Sequence, residues 1–231
     1  NIGMPAYKVA SFEINDIQLL RKIAKTGKPI IMATGIAELA DIEQALKTCI
    51  EAGNDQVILL KCTSAYPTPY DEVNINMLKT LRETFGCLVG ISDHTFGATV
   101  PILSVAMGGK MIEKHVTLKR SDGGTDSEFS MEMEEFEEMC KQVRMAEQAM
   151  GTSRYYLTDS QKMERHFSRS LFIAEDMEAG EIITENNVRS VRPADGMHTM
   201  YFEDIVGKKV NRKLIKGTPM MWKFIDWSED E

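Results

Sequence analysis

Two histidines stand where two neighbouring strands of a predicted parallel sheet end. His94 follows the apolar run CLVGISD, and His115 follows KMIEK. Because such strand ends open onto one mouth, both imidazoles can face a single divalent ion that keeps positions for water and substrate. The residues alone favour the alternative, in which both histidines have hydrogen-bonded structural roles. His166 and His198 have no partner by spacing.

Hydroxyl and ammonium groups gather at the same predicted mouth. They are Lys8, Ser11, Thr63, Ser64 and Ser92. Together with loop amides, these donors can hold a phosphate or a carboxylate. Ser and Thr at strand ends also cap helices, so the residues leave both roles open.

The segment KRSDGGTDSEFS (119–130) follows the fifth predicted strand. Its two Asp, paired glycines and three Ser suit the recognition of a polyol or sugar. By spacing alone, an ordinary acidic loop before a helix is the favoured interpretation.

Lys61 and Lys114 are candidates for Schiff-base chemistry, which we do not expect.

Repeated βα units must position these side chains. The strands are predicted to start at Lys8, Pro29, Val57, Cys87 and Lys110, which are 21, 28, 30 and 23 residues apart. That period fits one strand and one helix per unit, around a parallel sheet that is buried on both faces. Apolar residues at helical spacing predict helices after Asp41 and over 133–150, the latter with a Met-rich stripe assigned to the core.

The pattern changes after the last of these helices. Residues 1–150 form the βα part, and the polar stretch 151–167, which has no periodicity, is predicted to be a linker. Residues 168–227 alternate in short segments broken by AG, NN and KGT turns, which predicts a small β-rich domain. Residues 228–231 are predicted to be a solvated tail.

Composition excludes several function classes. The 231 residues are 43% hydrophobic and carry a net charge of −8, which argues against nucleic acid or an anionic membrane as the main partner. No apolar run reaches the roughly 18 residues of a membrane span. Four scattered cysteines without CxxC spacing predict reduced, mostly buried thiols in a cytoplasmic protein.

Several long motifs occur together in one order. KVASFEINDIQLL, KPIIMATG, LLKCTSAYPTPYDEVN, VGISDHTFG, IEKHVTL and DGGTDSEFS resemble the nonulosonic (sialic) acid synthases. RSLFIAEDMEAGEIITENNVRSVRPADG through VGKKVNRKLIKG is similar to the antifreeze-like (SAF, β-clip) domain of these enzymes. DGGTDSEFS and KCTSAYPTPY most resemble the pseudaminic acid subgroup, with legionaminic and N-acetylneuraminic acid synthases as alternatives.

The resemblance implies an α/β fold, namely the C-terminal five βα units of a (β/α)8 TIM barrel followed by a SAF domain. It implies a transferase that condenses phosphoenolpyruvate (PEP) with 2,4-diacetamido-2,4,6-trideoxy-altrose to a nine-carbon 2-keto sugar acid and releases phosphate. Mn2+ or Mg2+ is the implied cofactor, and a domain-swapped homodimer in the cytoplasm is the implied assembly.

Roles for individual residues follow from the same resemblance. His94 and His115 would hold the metal and, with Glu13, form the catalytic set. PEP would be bound by Lys8, Ser11 and Ser92. The sugar would be bound by Glu13, Ser64, Tyr66, Asp126 and, from the second copy of the chain, Arg192.

Two departures from the family pattern stand out. Ala33 occupies the place of a family serine, which removes one hydroxyl contact to PEP. The motifs cover only five of the eight barrel strands, from which we expect the chain to be a fragment of a longer one. A non-catalytic binding role, with the SAF domain as the working part, is the alternative of another class.

Overall fold

The computed structural model describes residues 3–228. The chain forms two compact units, Asn1–Thr152 and Ser153–Glu231. Asn1 and all but the first residue of the predicted tail lie outside the described residues.

The first unit is built on a sheet of five parallel strands in the order in which they occur along the chain. The strands are β1 (Tyr7–Val9), β2 (Ile30–Ala33), β3 (Val57–Cys62), β4 (Leu88–Asp93) and β5 (Ile112–Lys114). Lys8 Nζ on one edge strand lies 3.4 Å from Glu113 Oε1 on the other. The sheet is therefore strongly curled, and the prediction of five βα units of a TIM barrel is confirmed.

Helices connect the strands and cover the convex face of the sheet. They are α1 (Ile17–Ala24), α2 (Leu39–Glu51), α3 (Met77–Phe85), α4 (Thr99–Ala106) and α5 (Met133–Met150). Between them and the sheet lies a core that includes Leu20, Met32, Leu46, Leu59 and Leu78. Within residues 3–228, no helix is long and apolar enough to cross a membrane.

The first strand, predicted over KVASF (8–12), is too long at its C-terminal end. Residues Ser11–Glu13 form a 3-10 turn instead of continuing β1. The Ala10 amide donates to Glu13 Oε2 (2.9 Å) and the Glu13 amide donates to the Ala10 carbonyl (3.0 Å). In a continued strand, these backbone groups would bond to the neighbouring strand. Because they are satisfied within the turn instead, β1 ends before Ser11.

The Met-rich stripe of α5 was wrongly assigned to the core. The helix has the predicted bounds, but in it only Met139 is fully buried, while Met133, Cys140 and Met150 are exposed. In the described part of the chain α5 packs mainly on α4, and a single neighbouring helix covers only one row of its side chains.

The prediction of mostly buried cysteines holds only in part, because Cys49 and Cys62 are buried but Cys87 is half-buried. All four are free thiols.

The second unit is small and β-rich. Its elements are α6 (Asp159–Glu164), β6 (Ser170–Ile173), β7 (Val188–Val191), α7 (Phe202–Ile205), β8 (Lys209–Val210) and β9 (Ile225–Asp226). β6 pairs antiparallel with β7, and β8 with β9. Its own core contains Leu171, Ile173, Ile183, Val210 and Met220, all of them fully buried.

The sequence patterns did not predict one helix in this unit. α6 lies inside the stretch predicted to be a linker, where every residue from 151 to 169 is exposed. Thr158 caps it, since the Gln161 amide donates to Thr158 Oγ1 at 3.3 Å. A helix that buries no face has no apolar period, and only the Thr158 and Gln161 capping box could have revealed it.

Candidate active site

Four of the five anion-binding candidates form two groups in the structure, and the first lies on the concave face of the curled sheet, whereas the Thr63 hydroxyl donates to the Glu72 carbonyl. Ser92 Oγ donates to Glu113 Oε1 at 2.7 Å, and Lys8 Nζ lies 3.4 Å from the same oxygen. Ser92 and Glu113 are register partners on β4 and β5. The group therefore offers one ammonium, one hydroxyl and one carboxylate within hydrogen-bond reach of each other.

Glu113 was not assigned a role from the sequence. It stands two residues before His115, and side chains alternate between the two faces of a strand. That alternation, together with pairing to Ser92, was the signal that could have placed it on the concave face with the histidines.

The second group is a pair of serine hydroxyls. Ser11 Oγ and Ser64 Oγ are 2.8 Å apart, which joins the turn after β1 to the loop after β3. Gly35 backs this pair, because a Cβ at that position would overlap the Ser64 hydroxyl and lie 3.2 Å from Ser11 Oγ. Ala33 is buried at the end of β2 and carries no polar group into the mouth.

The two strand-end histidines face each other. The ring centroids of His94 and His115 are 5.2 Å apart, with the ring planes at 68°. His94 Nδ1 lies 3.1 Å from the Thr63 carbonyl oxygen, so this nitrogen carries the proton and Nε2 keeps its lone pair. Burial lowers the pKa of His94, and the nearby His115 adds to this, while the bond to Thr63 opposes it.

The loop that follows β5 returns to His115. The Met131 amide donates to the His115 carbonyl (2.9 Å), and the Thr117 amide donates to the Met131 carbonyl (2.8 Å). This return brings Asp126 Oδ2 to 3.7 Å from His115 Nδ1. It also packs Phe129 at 5.0 Å from the His115 ring, a contact that sequence reasoning missed.

Tyr66 completes the aromatic wall of the mouth. Its ring lies 4.3 Å from the His94 ring and 6.2 Å from the His115 ring. The peptide bond from Tyr66 to Pro67 is cis, and the Thr68 amide donates to the His94 carbonyl at 3.0 Å. Tyr66 remains 46% exposed, so it can contact a ligand in the mouth.

Cys62 lies between the serine pair and the histidines. Its Sγ is 4.0 Å from Ser64 Oγ and 4.0 Å from His94 Nδ1. Burial raises the pKa of this thiol, opposed by the hydroxyls of Ser64 and Ser92 and by nearby lysines. The thiol is thus a neutral wall of the site.

Two predicted site residues are not brought to these groups. The Glu13 carboxylate is used in the turn, where it accepts the Ala10 amide, and its side chain is exposed. Arg192 belongs to the second unit and directly follows β7, where it is exposed and joined to Pro193 by a cis peptide.

The donor set at the histidines is compatible with the predicted divalent cation. His94 presents an unprotonated Nε2, and the His115 ring lies beside it. Among residues 3–228, no three His, Cys, Asp or Glu side chains are placed to hold a metal ion. Protein ligation would therefore come from the two imidazoles, with substrate and water at the other positions, as in an open catalytic site.

The Schiff-base candidates are both engaged. Lys114 Nζ donates to Asp93 and to the Thr95 carbonyl and is 1% exposed, so it does not reach the mouth. Lys61 Nζ donates to Thr63 Oγ1 at 2.6 Å, and burial lowers its pKa.

Similarity to known proteins is extensive along the whole chain. The NeuB family matches residues 1–155 and the SAF domain matches residues 168–226. The chain is 42% identical to a pseudaminic acid synthase of Campylobacter jejuni over 92% of its own length, and 37% identical to an N,N'-diacetyllegionaminic acid synthase of that species over 90%. It spans 62% and 63% of those relatives.

A solved structure supports the same assignment. The N-acetylneuraminic acid synthetase of Leptospira borgpetersenii, solved with citrate, superposes with a TM-score of 0.66 at 32% identity. The match covers 71% of this chain and 57% of that one. The resemblance seen in the motifs is thereby confirmed, and the chain belongs to the NeuB family and has a C-terminal SAF domain.

Proposed function

We propose that the protein to which this chain belongs is a PEP-dependent nonulosonic acid synthase of the pseudaminic acid subgroup. The observation that carries the proposal is the joint placement of the facing histidines and the group of Lys8, Ser92 and Glu113 at one mouth. The histidines suit a cation and a sugar aldehyde, and the group of Lys8, Ser92 and Glu113 suits a small anion.

PEP is the anion that this proposal assigns to the mouth. Lys8 supplies the ammonium group, and Ser11 and Ser92 supply hydroxyl donors. Charge-assisted hydrogen bonds of this kind are roughly twice as strong as neutral ones. They are needed here because the chain has a net charge of −8, so the overall field does not attract a polyanion.

The proposed reaction joins PEP carbon 3 to the aldehyde carbon of an open-chain acetamido sugar. Mn2+ or Mg2+, held by His94 and His115, supplies Lewis-acid polarisation when bound. Water then adds to carbon 2 of the former PEP, and phosphate leaves by cleavage of the bond between carbon 2 and oxygen, which yields the 2-keto acid. Glu113 is the carboxylate at the anion group, and we propose that it accepts one proton of this water and passes it to the former aldehyde oxygen, which becomes a hydroxyl, while the second proton leaves with the phosphate.

The acceptor is assigned to the aromatic side of the mouth. Tyr66 offers a half-exposed ring, and Asp126 and Ser64 offer an acceptor and a hydroxyl for sugar hydroxyls. We choose 2,4-diacetamido-2,4,6-trideoxy-altrose because DGGTDSEFS and KCTSAYPTPY resemble the pseudaminic subgroup. The higher identity to the pseudaminic than to the legionaminic acid synthase of one species supports this choice.

The remaining assignments concern the whole protein. Glu13 and Arg192 are proposed to join the sugar site on substrate binding and on dimer formation, Arg192 from a second copy of the chain. A domain-swapped homodimer in the cytoplasm is the assembly we propose on the family resemblance.

The test is a coupled assay on the intact protein. With PEP, Mn2+ and 2,4-diacetamido-2,4,6-trideoxy-altrose, we expect equimolar phosphate and 2-keto acid, and slower release with N-acetylmannosamine or the legionaminic acid precursor. A faster reaction with another acceptor would move the protein to that subgroup. No phosphate with every such sugar, and no rise in Tm with PEP and Mn2+, would favour the non-catalytic role.

A further inference from the structure

We propose that a buried ion pair between Asp93 and Lys114, tied to Thr95, fixes the distance between His94 and His115, so that these three are positioning residues for the two imidazoles. The inference rests on the proposed function, because it concerns the residues assigned to the cation. None of the site roles given above includes Asp93, Thr95 or Lys114 as a positioning residue.

The ion pair joins the ends of two neighbouring strands. Lys114 Nζ lies 2.7 Å from Asp93 Oδ2, and the two side chains are 1% and 2% exposed. Asp93 and Lys114 are register partners on β4 and β5. Each is the last residue of its strand and directly precedes one of the histidines.

The pair lies on the opposite face of the sheet from the mouth. Ser92 and Glu113, one residue earlier, meet on the concave face. Since side chains alternate along a strand, Asp93 and Lys114 point to the helix side and the next residues return to the mouth. The ion pair therefore ties the two strand ends from behind, at the level where the imidazoles emerge.

Thr95 closes the network on the His94 side. Its amide donates to Asp93 Oδ1 and its hydroxyl donates to Asp93 Oδ2, both at 3.1 Å. Lys114 Nζ also donates to the Thr95 carbonyl at 2.6 Å. Residues on both sides of His94 are thus held by the network, and its backbone has little freedom to move relative to β5.

Stability alone does not explain charges at this place. Removing a Lys and an Asp from water costs several kcal/mol per ion, and well-packed apolar side chains often serve a core as well or better. An ion pair with three further hydrogen bonds gives what apolar packing does not, namely fixed directions and distances. Fixed geometry is most useful where two ligands from different strands must meet one ion.

The test uses a double variant, because removal of one partner alone leaves a buried unpaired charge. In the intact protein, D93N/K114M keeps an acceptor for the Thr95 amide and a side chain of similar length at 114. We expect its Kd for Mn2+, measured in the absence of substrates by electron paramagnetic resonance, to rise about 10- to 100-fold. The conservative variant K114R, which keeps the charge, should recover part of this loss.

The control is L59A, a core substitution in the same sheet, because Leu59 pairs in register with Val89, five residues before His94. It should lower Tm and leave the Kd for Mn2+ within about twofold. If D93N/K114M also stays within twofold of the wild type, the ion pair is only structural and the proposal is wrong, while the proposed function stands. If H94A and H115A leave Mn2+ binding unchanged, the metal assignment fails and this inference with it.

Discussion

Lys8 is the cation that the proposed function assigns to PEP. Its ammonium lies beside Glu113, so the side chain is partly oriented before any ligand arrives. A bound phosphate or carboxylate would share this cation with Glu113 and replace water around it. Binding of the anion should therefore weaken markedly when this ammonium group is removed, even with Ser11 and Ser92 in place.

The first prediction follows for K8M in the intact protein. A hydrogen bond to a charged group is worth about 1.5–3 kcal/mol, so the KM for PEP should rise about 10- to 150-fold. The KM for the sugar should change little, because Tyr66 and Asp126, to which we assign the sugar, lie against the histidine rings. Steady-state kinetics with each substrate varied measure both. K47M, an exposed lysine on α2, is the matched control, and a K8M enzyme with an unchanged KM for PEP would remove Lys8 from the anion site.

Thiol reactivity gives a second prediction at this scale. Cys140 is exposed, whereas Cys49 and Cys62 are buried, and burial raises the pKa of Cys49, Cys62 and Cys87. With a disulfide reagent near pH 8, Cys140 should react first and C140S should lose the fast phase. Fast labelling of Cys62 in C140S, read by peptide mass spectrometry, would contradict the buried position.

The same thiols predict a pH dependence of stability. A raised native pKa means that the unfolded state gives up its thiol protons first as the pH rises. The stabilising contribution of the neutral thiols is therefore complete below their ordinary pKa of 9.0 and is lost progressively above it. Urea unfolding from pH 7 to 10.5 should show a smaller loss for C49A than for the wild type, and an identical slope would contradict it.

The sequence pointed to most of the residues of the candidate site, but it missed some of them. Strand ends located both histidines, Ser92 and Ser64, because parallel strands deliver their ends to one mouth. It did not assign Glu113, because the alternation with His115 shows only that the two share a strand face, and the pairing with Ser92 requires the strand register. Phe129 was missed because it approaches His115 only through the return of the loop after β5.

At the scale of elements, two glycines control how closely neighbouring segments approach. A Cβ on Gly90, within β4, would overlap the Met111 carbonyl oxygen and lie 2.8 Å from Met111 Cβ. A Cβ on Gly35, after β2, would overlap the Ser64 hydroxyl. The first obstacle is backbone and cannot turn aside, whereas the second is a hydroxyl that can rotate.

G90A and G35A therefore form a matched pair. G90A should lower the free energy of unfolding by about 1–3 kcal/mol, since β5 must move away from β4. G35A should cost less stability, but it should break the bond between Ser11 and Ser64 and raise the KM for PEP or sugar. Urea unfolding and steady-state kinetics of both variants measure this. Equal stability losses in the two would show that the Ser64 side chain is as fixed as the backbone.

Elements were predicted well where burial imposes a period. The bounds of α5 match the prediction, and β2 to β5 lie within the predicted runs. The burial of α5 was not predicted, because periodicity shows which face is apolar but not what covers it. α6 was missed for the complementary reason, since an exposed helix has no apolar face.

For the whole molecule, the decisive feature is that each unit has its own core. One core surrounds Leu59 and Leu78 between sheet and helices, and the other surrounds Leu171 and Ile183 in the second unit. Domains that have a core of their own can fold independently, and single domains of this size usually unfold cooperatively. Stability should therefore be a property of each unit.

The last prediction is that thermal unfolding of the intact protein has separable transitions. Truncating a buried aliphatic side chain costs about 2–5 kcal/mol. For a unit the size of Ser153–Glu231, that loss lowers Tm by at least about 8 °C. I183A should shift one transition by this amount, and L59A should shift another while leaving the first in place. Differential scanning calorimetry of the wild type and both variants tests this, because a single transition that both substitutions move equally would mean that the two cores unfold as one.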